Sequence, residues 1–521
     1  MLKFVNREEE MQFIRDNCST LLDQRLITQL PIIQFNGVGG IGKTRILREV
    51  EDYCNSNGLH SIWADANLNT EELSHRVVSQ VKKYGVRVPL QSDDWSTLSI
   101  HATRTLITEK GPAVFLIDSL ENARDPEIAW VENLLATFLN ENKLFFLLAS
   151  QREMTFERVK EVSRRVNTIR LKPFSADICK RYLSSRARNL DQEVQDLIYE
   201  WTGGYPLAIN SMLEAIEQKR LDPRRKKDQR ALLTHIRRQV ISQSMFSQGK
   251  QPAGRIEWFE GMFSLFAVPR RCVDVTFMQD LIERFEPQYR LDTGLAYVAL
   301  PSRINDRADV FGWNKAKAGF TLDTTIRHIF LKNLEIDQPE RYKLIHRHLA
   351  DVNRQLATKA TGSERIRFLL EYLYHSACCE EGPALRQIVE TSVQQVINEP
   401  RDDFGVFREE YLGDTELQEI LGEHHNTALS LISRHLAGIY RQLALQSSDL
   451  EGPHYFVAWL KCMLEDPYED LPASPRVKEW VQGITKRSPE VREQVKNELL
   501  RDASVQEKLR LYPNLLSPFL P

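Results

Sequence analysis

Residues Gly37-Val38-Gly39-Gly40-Ile41-Gly42-Lys43-Thr44 fit the pattern GxxxxGK[ST]. Glycines at that spacing let successive backbone N–H groups turn toward one anion, and a helix opening directly afterwards offers its positive end to the same charge. Such a loop suits a nucleotide phosphate, with Lys43 reaching the β and γ phosphates and the Thr44 hydroxyl ligating Mg²⁺. Gly37 to Thr44, with Arg45 beside them, are the expected contacts for ATP or ADP. A second candidate is Asp118, which closes the apolar run AVFLI, where a carboxylate can hold the water shell of that Mg²⁺. Glu121, three residues on, is the candidate to orient or deprotonate an attacking water. An acid in that position also suits the first turn of a helix. A third candidate follows the run LFFLLA, where Ser150-Gln151-Arg152 would meet the γ-phosphate and Arg152 would report its presence.

These residues need a parallel sheet to bring them together. The glycine loop follows an apolar stretch at 31–36 and precedes a helical pattern carrying Ile46, Leu47 and Val50. Further strand-like runs at 59–64, 113–117, 144–149 and 167–171 alternate with helical stretches at 70–84, 95–109 and 126–139, which predicts an α/β layer arrangement. The runs at 113–117 and 144–149 are continuously apolar, as strands buried on both faces should be. Beyond Pro173 helices dominate, at 175–188, 191–202 and 206–219, the last opening on Pro206 at a favoured first helical position. The polar stretch 247–254 reads as a linker. Residues 256–331 mix helical runs with short strand-like pieces at 295–300 and 319–322, which predicts a winged helix. From Pro339 onward the pattern is helical without a strict repeat period, giving a C-terminal all-helical domain, TPR-like at most. The expected division is 1–172 for the nucleotide-binding domain, 173–250 for a helical lid, 255–337 for the winged helix and 338–521 for the helical tail.

At 521 residues the chain is too long for one core. Lys+Arg 69 against Asp+Glu 72 leaves a net charge of −3, so no global field attracts nucleic acid or an anionic membrane. No apolar run reaches the ~20 residues that span a bilayer. The first residues turn acidic without an apolar signal core, so a cytoplasmic protein is expected, and seven scattered cysteines fit reduced thiols. The cluster Arg224-Arg225-Lys226-Lys227 lacks interleaved aromatics and is flanked by Asp222 and Asp228, which favours a solvated helix turn over a nucleic-acid site. His346-Arg347-His348 and His424-His425 lack metal-ligand partners at the required spacing. Nucleic acid and membrane are therefore not the expected partners.

Taken in order, and with Gly204-Tyr205-Pro206-Leu207-Ala208 further on, these signals make the chain resemble the STAND class of signal-transduction P-loop NTPases, relatives of the NB-ARC and NACHT proteins. The resemblance covers about residues 4–350. Phe4-Val5-Asn6-Arg7-Glu8 resembles the opening motif of that class, which lies against the adenine; this implies nucleotide contacts at Val5 and Arg7. Asp118-Ser119-Leu120-Glu121 resembles the bacterial D-x-x-E form, Arg152 falls at the sensor arginine, and Pro206 is implied to face the base. The class also implies a winged helix whose histidine contacts the ADP β-phosphate. Asp323 stands in that place, and an anion cannot make that contact. Either Arg327 or His328 supplies it, or the domain stays closed through packing and cations.

The resemblance implies a slow ATPase switch, closed with ADP and open and oligomeric with ATP. With the motif starting at Phe4 and a short helical tail, the effector is expected to be encoded separately. Two other functions compete: a constitutive AAA-like motor or loader, and a DNA regulator working through the winged helix. The near-neutral charge argues against the second of these.

Overall fold

The computed structural model describes residues 7–23, 30–88, 94–186, 190–245, 253–305, 310–398, 401–448, 450–471 and 474–510. Phe4, Val5 and Asn6, and most of the expected linker, lie outside the described residues. The chain divides into two compact units, Met1–Pro339 and Glu340–Pro521.

The first unit is built on five parallel strands: β1 Ile32–Asn36, β2 His60–Asp65, β3 Ala113–Asp118, β4 Leu144–Ser150 and β5 Val166–Arg170. Their spatial order is β2-β3-β4-β1-β5. β4 therefore lies between the strand that leads into the glycine loop and the strand that ends in Asp118. In register, Asn36 stands opposite Ser150 and Arg170, and Asp65 opposite Asp118, so the strands end along one carboxyl edge. Every residue of β3 and β4 is buried, which is why both read as unbroken apolar runs. β5 has one neighbour and holds only half-buried and exposed positions, as an edge strand can.

Helices cover both faces because each carries one apolar stripe. In Lys43–Ser56 the stripe is Ile46, Leu47, Val50 and Cys54, at the i, i+1, i+4, i+8 spacing of one helix face. Thr70–Lys83 buries Leu73, Val77, Val78 and Val81, and its Asn69 cap accepts the Glu72 N–H. The fully buried polar side chain of β1, Gln34, is satisfied by the Met154 backbone, donating to its carbonyl at 3.3 Å and accepting from its N–H at 2.8 Å.

After the sheet come the helices Ala176–Arg186, Gln192–Thr202, Pro206–Lys219 and Lys226–Met245. The winged helix comprises Ala253–Phe266, Val275–Phe285, the short helices Gly294–Val298 and Leu300–Ile304, the antiparallel hairpin β6 Phe311–Asn314 and β7 Gly319–Leu322, and the helix Thr324–Asp337. The expected strand-like piece at 295–300 is helical instead. Thr293 accepts the Ala296 N–H and starts a helix, which the run of apolar residues does not reveal.

The second unit is wholly helical among its described residues, from Pro339–Lys359 to Ala503–Arg510. Its helices pack around two apolar clusters, one including Leu370, Val393, Phe407 and Leu417, the other Phe456, Trp459, Trp480 and Val495. His346 and His375 are both buried and share a hydrogen bond at 2.9 Å between their Nδ1 atoms, so His346 is a core histidine. Among the described residues no helix is long and apolar enough to cross a membrane.

Candidate functional site

The carboxyl edge of a parallel sheet gathers residues from separate strand tips. Three tips matter here. From β1 the chain enters the glycine loop, where Gly37, Gly40 and Gly42 have φ of 145°, 76° and 112°. L side chains rarely take such values, so the glycines are required by conformation. Val38 and Ile41 turn their side chains inward, at 5% and 1% exposure, which leaves the backbone of the loop to meet a ligand. The Lys43 ammonium is buried and donates to the carbonyls of Gly37 at 2.7 Å and Val38 at 3.1 Å. Burial pushes its pKa down to about 8, against the opposing pull of Glu121 and then Asp118.

From β3 comes Asp118. Burial raises its carboxyl above the usual range, while hydrogen bonds from the Thr44 hydroxyl and the Ser119 N–H (2.9 Å) oppose the rise. Ser119 itself has φ of 63°, a left-handed turn that a serine adopts only with some strain. That turn starts the short 3₁₀ segment Leu120–Asn122, which carries Glu121 toward the tip of β4. There the Glu121 carboxylate accepts from Gln151 twice, from the backbone N–H at 3.0 Å and from Nε2 at 3.1 Å. The structure thus brings Lys43, Thr44, Asp118 and Glu121 together.

Other expected site residues are placed differently. Arg152 is half-buried just beyond β4, and its backbone N–H donates to Ser150 Oγ at 3.3 Å. Arg45 is exposed and pairs with Glu49 one helical turn on, at 3.3 Å. Arg7 is 6% exposed, with φ of 77°, and its guanidinium donates to the carbonyls of Lys172 at 2.5 Å and Ile41 at 3.5 Å. It staples the back of the glycine loop to the end of the sheet.

The lid closes over the loop from the other side. Pro206 occupies the first turn of Pro206–Lys219 and is buried. Just before it, the Tyr205 hydroxyl donates to the Gly39 carbonyl, and Leu207 covers Gly40 so closely that a Cβ there would lie 2.6 Å from Leu207 Cβ. Gly204 packs tighter still, since an added Cβ would lie 1.9 Å from the Phe174 carbonyl oxygen.

The winged helix meets the same elements. His328 places its ring against Gly203, and its Nε2 donates to the Glu200 carbonyl at 2.7 Å; burial lowers its pKa. Asp323 caps Thr324–Asp337, accepting from the N–H groups of Thr325 (2.9 Å) and Ile326 (3.4 Å), and its other oxygen accepts from Arg170 on β5 at 2.6 Å. The cation that Asp323 meets is Arg170. Replacing Asp323 by alanine removes a cap worth about 1 kcal/mol. It also removes a pair to the largely exposed Arg170, worth less than about 1 kcal/mol. Asparagine keeps the cap and loses only the pair. Denaturant midpoints should therefore fall in the order parent, Asp323→Asn, Asp323→Ala; equal midpoints for the two variants would show that the cap contributes nothing.

The residues present fit a nucleotide phosphate. The loop conformation is one that only glycine tolerates, and one buried ammonium and one hydroxyl–carboxylate pair sit beside it. Among the described residues no three His, Cys, Asp or Glu side chains are placed to hold a metal by themselves. A Mg²⁺ ion at Thr44 and Asp118 would take its remaining ligands from phosphate and water.

The sheet with its glycine loop, and the helical parts that follow, define the chain as having a P-loop NTPase fold with an all-helical C-terminal unit. No protein-family model matches the sequence, and no curated protein matches it. Among solved structures, the chain is similar to the ORC1 protein of Aeropyrum pernix in complex with DNA, at 15% identity and a TM-score of 0.37, over 66% of this chain and 95% of that one. It is also similar to a STAND protein with a tetratricopeptide repeat sensor from Pyrococcus horikoshii, at 14% identity and a TM-score of 0.29, over 99% of this chain and 77% of that one. A third is AMPPCP-bound DnaA from Aquifex aeolicus, at 15% identity and a TM-score of 0.34, over 58% of this chain and 96% of that one. At these values none of the likenesses decides an activity.

Proposed function

We propose that the protein is an ATP-binding, slowly ATP-hydrolysing switch of the STAND type. In this reading Gly37 to Thr44 hold the phosphates of ATP or ADP, Thr44 and Asp118 hold Mg²⁺, and Glu121 handles the attacking water. Residues 1–172 form the nucleotide-binding domain, 173–250 the lid, 255–337 the winged helix and 338–521 the helical tail. The observation that carries the reading is the unbroken set of contacts from loop to winged helix. Tyr205 and Leu207 touch the glycine loop, Gly203 and Glu200 beside them touch His328, and Asp323 is tied to the sheet. A phosphate entering the loop therefore bears on the lid and the winged helix, two parts that a switch would move. The output is self-assembly or association with an effector encoded separately, and the helical tail is the part that would engage it. The expectation that nucleic acid is not a partner rested on the near-neutral net charge and on a basic cluster without interleaved aromatics, and it is not carried forward.

The test is the turnover and nucleotide retention of the purified protein. A switch should turn over on the order of 10⁻² s⁻¹ or slower, as switch GTPases do without their activators, and should carry ADP through purification, detectable by mass spectrometry. Turnover on the order of 1 s⁻¹ or faster with free ADP release would instead identify a motor or loader.

A further inference from the structure

We propose that the Tyr205 hydroxyl is a positioning group for phosphate binding, acting through the peptide bond between Gly39 and Gly40. This rests on the reading of Gly37 to Thr44 as the phosphate loop. A peptide unit is planar and trans, so its C=O and N–H point in opposite directions. Whatever holds the Gly39 carbonyl therefore also aims the Gly40 N–H. The two residues flanking that peptide are both glycine, the residue that least restrains the backbone, and neither has a side chain to fix the plane. Gly40 sits at φ of 76°, in the left-handed region. Left to itself, such a peptide can present either its oxygen or its N–H to a ligand, and an oxygen would repel phosphate.

The structure removes that freedom from two sides. Lys43 holds the preceding carbonyls of Gly37 and Val38 from within the loop. Tyr205, fully buried and 166 residues further along the chain, holds the Gly39 carbonyl from the lid. Leu207 then fills the space over Gly40. With its carbonyl committed to the lid, the peptide presents the Gly40 N–H on the opposite side, toward the concavity where phosphate oxygens would lie. Tyr205 thus keeps the loop in its anion-accepting form before ligand arrives. This work belongs to the phenol oxygen rather than to the ring, which only packs.

Tyr205→Phe isolates that oxygen. In calorimetric titration of the nucleotide-stripped full-length chain with ADP, the variant is expected to bind about tenfold more weakly, the worth of one well-placed hydrogen bond. The stoichiometry should match the parent. Loss of folded protein would lower the stoichiometry and leave the affinity of the remaining sites intact, so an unchanged Kd with reduced stoichiometry would assign Tyr205 a merely structural role and overturn the proposal. An unchanged Kd at full stoichiometry would overturn it as well. Lys43→Ala titrated in parallel separates the two levels: if that variant also bound ADP like the parent, the phosphate-loop reading would be the part that failed.

Discussion

The Lys43→Ala protein is expected to lose ATP affinity by on the order of 100-fold or more, the usual cost of removing one partner from a buried charge pair. The ammonium is a buried cation within the loop, and two carboxylates, Asp118 and Glu121, lie close enough to act on its pKa. Taking it away removes the protein's own positive charge between those carboxylates and a polyphosphate, so repulsion adds to the lost attraction. Lys43→Arg should not rescue fully. A guanidinium is a flat fork, whereas the ammonium donates at once to the Gly37 and Val38 carbonyls in the tight space behind the loop. Calorimetry with ATP decides the matter, and parental affinity in Lys43→Ala would end the assignment of this loop.

Turnover by Glu121→Gln should drop on the order of 100-fold or more, while binding of ATP stays close to that of the parent. The substitution preserves shape and removes only the basic oxygen. The Gln151 N–H groups now held by the carboxylate can still be met in part, since an amide oxygen accepts as well. ATP should therefore remain bound without being cleaved, and the ATP-bound assembly should accumulate as a larger species on size exclusion. Asp118→Ala should behave in the opposite manner, weakening Mg²⁺-dependent binding. Hydrolysis by Glu121→Gln at the parental rate would mean that another residue handles the water.

Much of the five-stranded sheet and its glycine loop is legible because their signals are local. Strands β1, β3 and β4 are short apolar runs bounded by turn residues, and the glycine spacing prescribes a loop geometry directly. Strand order is not local: nothing in the run AVFLID says that β4 will separate it from β1. The same limit applies inside the site. In the sequence Gln151 is one of three residues after a strand, with nothing to set it above Arg152 beside it; that Gln151 grips Glu121 depends on the left-handed turn at Ser119. Tyr205 lay within a recognisable Gly-Tyr-Pro signal, but its contact with Gly39 spans 166 residues. Arg170 and Asp323 are 153 residues apart, and no pattern in either neighbourhood announces the other. The helix at Gly294–Val298 was missed for a different reason: five residues with several apolar side chains suit a strand equally well, and only the Thr293 cap distinguishes them.

The order of strands also governs when the site can exist during synthesis. Among the described strands the first made, Ile32–Asn36, pairs with Leu144–Ser150 and Val166–Arg170, whereas His60–Asp65 pairs with Ala113–Asp118. A ribosome adding roughly 5–20 residues each second needs on the order of ten seconds between the first strand and its earliest partner. Through that interval the segment Ile-Ile-Gln-Phe has no sheet to join, and the glycine loop after it has no shape. The nascent chain should therefore recruit chaperones at its amino-terminal strand. The tips that carry Gly37 to Thr44, Asp118 and Glu121 can come together only once the fourth strand has left the exit tunnel, which makes ligand capture a late event of translation rather than a seed for folding.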